Sequence, residues 1–280
     1  MASAPERGVA PNPAPPTIAK VRLRFAKRGR LRFASHRDVA RAFERAVRRA
    51  GVPVSHSHGF SPHPRLSWVG AVPTGAASEA EYLEIGLTRS MAPSELAAAL
   101  DAALPDGVDI LEAVAFPLGA PALADLIDAT RWRLELPGVS RDELGAAVSA
   151  FLATESLVVQ RLTKNGRKPV DVRAVVCQAE VTERSRDLQP GVDGADPHLP
   201  DLPCAILTTV VRQSTPAVRP DDVLAALQAV ADLRPPVPPM ATRLAQGLLD
   251  DRGRLADPFG ADRVTTSTEP TDPVRGAHQR

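Results

Sequence analysis

The stretch "HSHGFSPHPRLSW", residues 56–68, holds His56, His58 and His63 within eight positions. Three imidazoles can ligate a metal such as zinc, and His56-x-His58 on an extended chain puts both rings on one side. A set this local, with no neighbouring cysteine or carboxylate, is a weak metal signal. Pro62 and Pro64 do something different: they restrict φ at and around His63 and hold it extended. A side chain fixed before any ligand arrives suits binding or catalysis, and equally a stiff structural loop. Upstream, "SHRD" places His36 at the first turn of a helix that Ser35 caps, where free N–H groups and the dipole favour an anion. Along that helix Arg37, Arg41, Arg45 and Arg48 fall within about 80° of one another at 3.6 residues per turn. Four aligned guanidinium groups suit successive phosphates. The plainer alternative is a solvated face partly paired with Glu44.

The charge distribution sharpens this. Residues 21–73 carry twelve Lys/Arg against Asp38 and Glu44, so this segment is +10 in a chain whose total is +1. Thirty of the 34 basic residues are arginine, which favours bidentate contacts with carboxylate or phosphate. This asymmetry suggests an anionic partner, with nucleic acid first among candidates, or a basic face neutralised by the chain's own acids. Phe60 and Trp68 flank the loop as possible stacking surfaces for bases.

The elements that position these residues read as α+β. "IAKVRLRFAK" alternates as a half-buried strand at about 18–26, with Arg22 and Arg24 facing away from Val21, Leu23 and Phe25. "RGRLRF" reads as a turn and a short extended piece. The helix from Ser35 to Gly51 puts Val39, Ala40, Phe43, Ala46, Val47 and Ala50 on one face. Strands follow at about 79–88 and 108–116, with a helix entered at Pro93 between them. With a short extended piece near Leu66–Val69, the order is β-α-β-β-α-β, a ferredoxin-like first half over 18–118. Residues 119–250 read as a second, decorated α+β half with a hairpin around "KNGRK". There "MATRLAQGLL" fits a closing strand or a helix. Residues 1–17, an acidic loop at 184–201 and the tail 251–280 read as disordered.

Two cysteines, Cys177 and Cys204, form no CxxC and fit buried thiols in a reducing cytoplasm. No signal-peptide pattern and no bilayer-length apolar run is present, so the expectation is a cytoplasmic protein without a membrane partner. GxxxxGK[ST], GxGxxG after a strand, GxSxG and HExxH are all absent, and no cofactor is implied.

The run "LRFASHRDVARAFERAVRRAGVPVSHSHGFSPHPRLSWVGAVPTGAASEAEYLEI" resembles a bacterial family known as the radical-SAM-associated, or radical-SAM-linked, domain of unknown function. The likeness covers about residues 18–230 and implies the stand-alone form of that domain. Radical-SAM chemistry needs a three-cysteine cluster motif, which two cysteines cannot supply. The resemblance therefore implies an accessory, with a radical-SAM enzyme or a ribonuclease of the E/G type as possible partner. Carried over by position, it marks Ser35, His36, Asp38, Gly59, Phe60, Pro62, His63, Pro64, Ser67, Glu79, Glu81 and Tyr82, and leaves His56 and His58 outside the pattern.

Three functions stay open on this reading. One is an RNA-binding accessory in tRNA or rRNA processing or modification, using Ser35, His36, Arg37, Arg41, Arg45, Arg48, Phe60, His63, Arg65 and Ser67. Another is an adaptor docking on the enzyme or ribonuclease. The third is an enzyme with His36 and His63 as acid/base groups beside Tyr82 or Glu81.

Overall fold

A computed structural model describes residues 15–58, 60–164, 166–184 and 202–266. Residues 1–14 and 267–280 of the expected disordered ends lie outside the described residues, as does the acidic loop beyond Arg184.

The first half follows the expected order: β1 (Ala19–Lys27), α1 (His36–Arg49), β2 (Leu66–Val69), β3 (Ala77–Leu87), α2 (Pro93–Asp101) and β4 (Val108–Phe116). Its strands lie in the order β4-β1-β3-β2, every pair antiparallel. That is the split βαβ arrangement. Val21, Leu23 and Phe25 pack with Leu83 and Ile85 beneath Val39, Phe43, Ala46 and Val47 of α1 and Leu96 and Leu100 of α2. Ser35 and Asp38 form a reciprocal cap: the Asp38 N–H donates to Ser35 Oγ at 3.3 Å and the Ser35 N–H to Asp38 Oδ2 at 3.1 Å. Gly51 ends α1 in the left-handed region, φ +63°, where a side chain would be strained. Residues Gly29–Phe33 form a 3₁₀ turn, not the extended piece expected.

The second half repeats the plan. It runs β5 (Ala129–Pro137), α3 (Arg141–Leu152), β6 (Val158–Thr163), β7 (Gly166–Asp171), β8 (Val176–Glu183), β9 (Cys204–Arg212), α4 (Pro220–Ala231) and β10 (Met240–Gly247). The order β10-β5-β9-β8 is again antiparallel throughout. The decoration is the β6–β7 hairpin, inserted between α3 and β8 and paired only with itself. "MATRLAQG" is therefore a strand. It pairs with β5 along its length and, in parallel, with the start of β3 through Thr242↔Ala77 and Arg243↔Ser78. The eleven residues of β3 thus serve β2 at one end and β10 at the other, which fuses the halves into one eight-stranded sheet.

All four long helices cover the same face of that sheet. Glu81 lines a cleft with His36 and Val39 at the start of α1. Arg243, bonded to Glu81, lies over the Trp132 ring at 5.7 Å, and Trp132 belongs to the core under α3 and α4. The other face of the first half is covered too. Phe259 and the short helix α5 (Gly260–Thr266) close over it, with Leu123 and Ile127 beside Tyr82 and Val114. This corrects two expectations. Residues 251–266 are built into the fold, and β1 is buried on both faces. Arg22, read as outward, is buried over the Phe116 ring at 4.1 Å and donates to Glu84 at 3.0 Å, to Asp262 at 2.7 Å and to the Pro121 carbonyl. Among the described residues no helix is long and apolar enough to cross a membrane.

Candidate functional site

Within the basic segment, Arg22, Arg24 and Arg28 near β1 are neutralised by carboxylates, whereas the arginines along α1 are not. Arg22 is paired as above. Arg24 meets Glu112 at 3.4 Å, and Arg28 binds both Glu79 and Asp109, the latter at 2.9 Å. On α1 the outcome is opposite. Arg37, Arg41, Arg45 and Arg48 are exposed and make no ion pair or hydrogen bond among the described residues. The cause is the helix itself. Its apolar stripe faces the sheet, so the arginines point to water. The Asp38 carboxyl is already engaged by its cap, and the Ser35 hydroxyl and N–H, aided by Arg41, hold it below the usual carboxylate range. Beside the C-terminal half of α1, Arg45 and Arg49 flank an open groove, about 360 Å³ counting the solvent at its mouth, whose other wall is Ala103–Pro105. Arg49 donates to the Ala103 carbonyl at 3.3 Å, leaving the Arg45 guanidinium the freer of the two.

At the other end of α1 lies a narrow cleft, about 300 Å³ counting its open mouth, lined by Lys27, His36, Trp68, Val72 and Glu81. His36 sits edge-on to Trp68 at 5.3 Å, and Trp68 packs on Phe43 at 5.2 Å and Phe25 at 6.0 Å. Trp68 is therefore not an open stacking surface. Its strand pairs with β3 and turns the indole inward opposite Leu83. Behind the cleft is a buried polar cluster. Glu81 accepts from the Val72 N–H at 3.1 Å and pairs with Arg243, which also donates to Ser78 Oγ at 3.3 Å and Gln246 Oε1 at 3.2 Å. Lys27 donates to the Ala34 carbonyl at 3.0 Å, and burial pushes its pKa down against the pull of Glu81. Sequence reasoning missed Lys27, Ser78, Arg243 and Gln246. One signal existed: Lys27 continues the inward alternation of Val21, Leu23 and Phe25.

The remaining candidates are dispersed. Tyr82 borders the same cleft, but its ring turns to the face away from the helices, edge-on to Phe259 at 5.5 Å. Burial pushes its pKa up to about 12. Tyr82 is the chain's single tyrosine, so phenolate absorbance reports it alone. The native protein is expected to titrate near pH 12 and the urea-unfolded chain near 10. Because the folded pKa is the higher, this contribution to stability is complete below about pH 10 and is lost as pH rises toward 12. A native midpoint near 10 would show that water reaches the hydroxyl.

The Pro-His-Pro loop closes on itself. The Ser57 N–H donates to the His63 carbonyl at 2.9 Å, and the His63 N–H returns to Ser57 Oγ at 3.0 Å. His56 bridges to Pro64, and Arg65 Nε donates to the His56 carbonyl at 3.2 Å. The loop's side chains His58, His63 and Arg65 are exposed, with Phe60 92% exposed at its tip, and Ser67 is exposed on β2. His63 stands five residues from Trp68, on the order of 15 Å along an extended chain, and does not line the cleft that holds His36. Among the described residues no group of three His, Cys, Asp or Glu could hold a metal ion. The geometry thus offers an arginine face, a neighbouring groove and a separate braced loop. His36 lines the cleft with Glu81, and His63 is not among the residues that line it.

A family model described as an uncharacterized protein conserved in bacteria (DUF2344) matches residues 20–220. No curated protein matches the chain significantly.

Proposed function

The chain belongs to this conserved bacterial family of uncharacterised proteins, and for it we propose an accessory role in which α1 and the Pro-His-Pro loop bind RNA during tRNA or rRNA processing or modification. One observation carries the reading. Arg22, Arg24 and Arg28 have acidic partners within the chain, whereas Arg37, Arg41, Arg45 and Arg48 have none among the described residues and share one exposed helix face. A solvated face needs no such selectivity. A phosphate backbone does, because guanidinium groups already engaged by carboxylates bind it weakly. Phe60 adds an exposed ring on which a base can stack.

The test is filter binding of labelled total RNA over a salt series. Binding that weakens steadily with salt is expected, and no binding at low salt would end the proposal. The same exposed phenylalanine also favours a second reading, an adaptor whose basic face meets an acidic protein, with a radical-SAM enzyme or E/G-type ribonuclease as its partner. Pull-down with and without nuclease separates the two, since a nuclease-resistant protein partner favours the adaptor.

A further inference from the structure

We propose that the β6–β7 hairpin is a second contact for the same RNA, so that the ligand is gripped from two sides of the helix-bearing face. The inference rests on the RNA-binding reading above and extends it to an element that reading does not use. Residues 161–168, "RLTKNGRK", contain Arg161, Lys164, Arg167 and Lys168 with no acid, and supply two of the chain's four lysines.

The structure divides these four cations by task. Arg161 anchors the hairpin: it pairs with Asp222 of α4 and donates Nη2 to the Ala217 carbonyl at 2.7 Å. Val159 and Val170, opposite each other, bury into the core under α3 and α4. Lys164, Arg167 and Lys168 are exposed and have no ion pair or hydrogen bond among the described residues. Leu162 is 79% exposed. The register sets Leu162 opposite Arg167 and Arg161 opposite Lys168, so the ribbon carries free cations on both of its faces. Like charges directly opposite each other disfavour the hairpin by themselves; here Arg161 is engaged by Asp222, and Lys168 on the same face stays exposed.

A two-stranded ribbon with cations on both faces and an exposed leucine in one strand matches a groove between two phosphate rows. The wide, shallow minor groove of A-form RNA offers such a site, with sugars for Leu162 to touch. The hairpin packs against α4, and α4 lies on the same face of the sheet as α1. A structured RNA lying across the helices can therefore meet both. An acidic protein would fit the charge but gives no reason for cations on opposite faces of the ribbon.

The experiment compares the full chain with the triple variant Lys164→Ala, Arg167→Ala, Lys168→Ala, using fluorescein-labelled bulk tRNA and fluorescence anisotropy from 50 to 200 mM salt. With three phosphate contacts removed, affinity at low salt is expected to fall roughly tenfold or more, and the log–log salt slope to shrink by about 2–3. An unchanged Kd and slope in the variant, with the wild type binding, overturns the hairpin contact and leaves the α1 reading standing. Failure of the wild type to bind removes both. Ultraviolet crosslinking of the wild type covers the case of a variant that does not fold. RNA-crosslinked peptides are expected from 158–171 as well as from α1, and crosslinks confined to α1 overturn the proposal. So does a variant that keeps full RNA affinity while losing a nuclease-resistant protein partner.

Discussion

Arg243→Met is expected to destabilise the protein by about 3–5 kcal/mol, the range for breaking a buried ion pair from one side. Arg243 and Glu81 are 4% and 6% exposed. Arg243 also donates to Ser78 and Gln246 and so ties β10 of the second half to β3 of the first. Methionine fills much of the same volume but leaves the Glu81 carboxylate buried with the Val72 N–H and the partly compensating charge of Lys27. The damage should fall on the junction between the two halves, since the β10–β3 ladder is short, Thr242↔Ala77 and Arg243↔Ser78, with Gln246 Nε2 donating to the Ala80 carbonyl beside it. The companion Glu81→Leu, Arg243→Met pair removes both charges and is expected to recover most of the loss, because replacing a buried pair with apolar groups is often neutral. Urea unfolding of the wild type, the two single variants and the double variant gives the coupling directly. A single-variant loss below about 1 kcal/mol would mean that water solvates Glu81.

That cluster also marks where the sequence stops being informative. The first ferredoxin-like half was legible because its periods are local: two for β1, 3.6 for α1, and a capping pair at Ser35 and Asp38. The four-arginine face of α1 follows from the same arithmetic. What was not legible depends on distant partners. Arg28 meets Glu79 51 positions away and Arg22 meets Asp262 240 positions away, so a local count of +10 could not say which cations are free. Nor could it separate Trp68, turned inward by β2 pairing, from Phe60, which stays in water. "MATRLAQG" lacks clean alternation because a bulge between Arg243 and Ala245 shifts its register, and it carries the polar Arg243 and Gln246 buried. The segment 251–266 read as a tail because one phenylalanine and one aspartate, Phe259 and Asp262, are too few to make a period. They are enough to cover the back of β1 once Tyr82 and Arg22 are in place.

Replacing Arg37, Arg41, Arg45 and Arg48 together with alanine is expected to lower RNA affinity at low salt on the order of 100-fold and to reduce the log–log salt slope by about 3. The slope is the decisive quantity. Each phosphate neutralised contributes roughly 0.7–0.9 to it, so four contacts predict the change without any assumption about which RNA is bound. Folding should be unaffected. The four side chains make no ion pair among the described residues, they lie outside the apolar stripe, and alanine is at least as good a helix former as arginine. An unchanged melting transition with a reduced slope therefore assigns the loss to binding. Arginine-to-lysine replacement at the same four positions gives the finer result. Lysine keeps the charge but loses the planar fork, so the slope should persist while affinity falls if the guanidinium groups grip phosphates bidentately. If the alanine variant binds RNA with the wild-type slope, α1 is not the interface, and its unpaired arginines are left to the acidic protein partner of the adaptor reading.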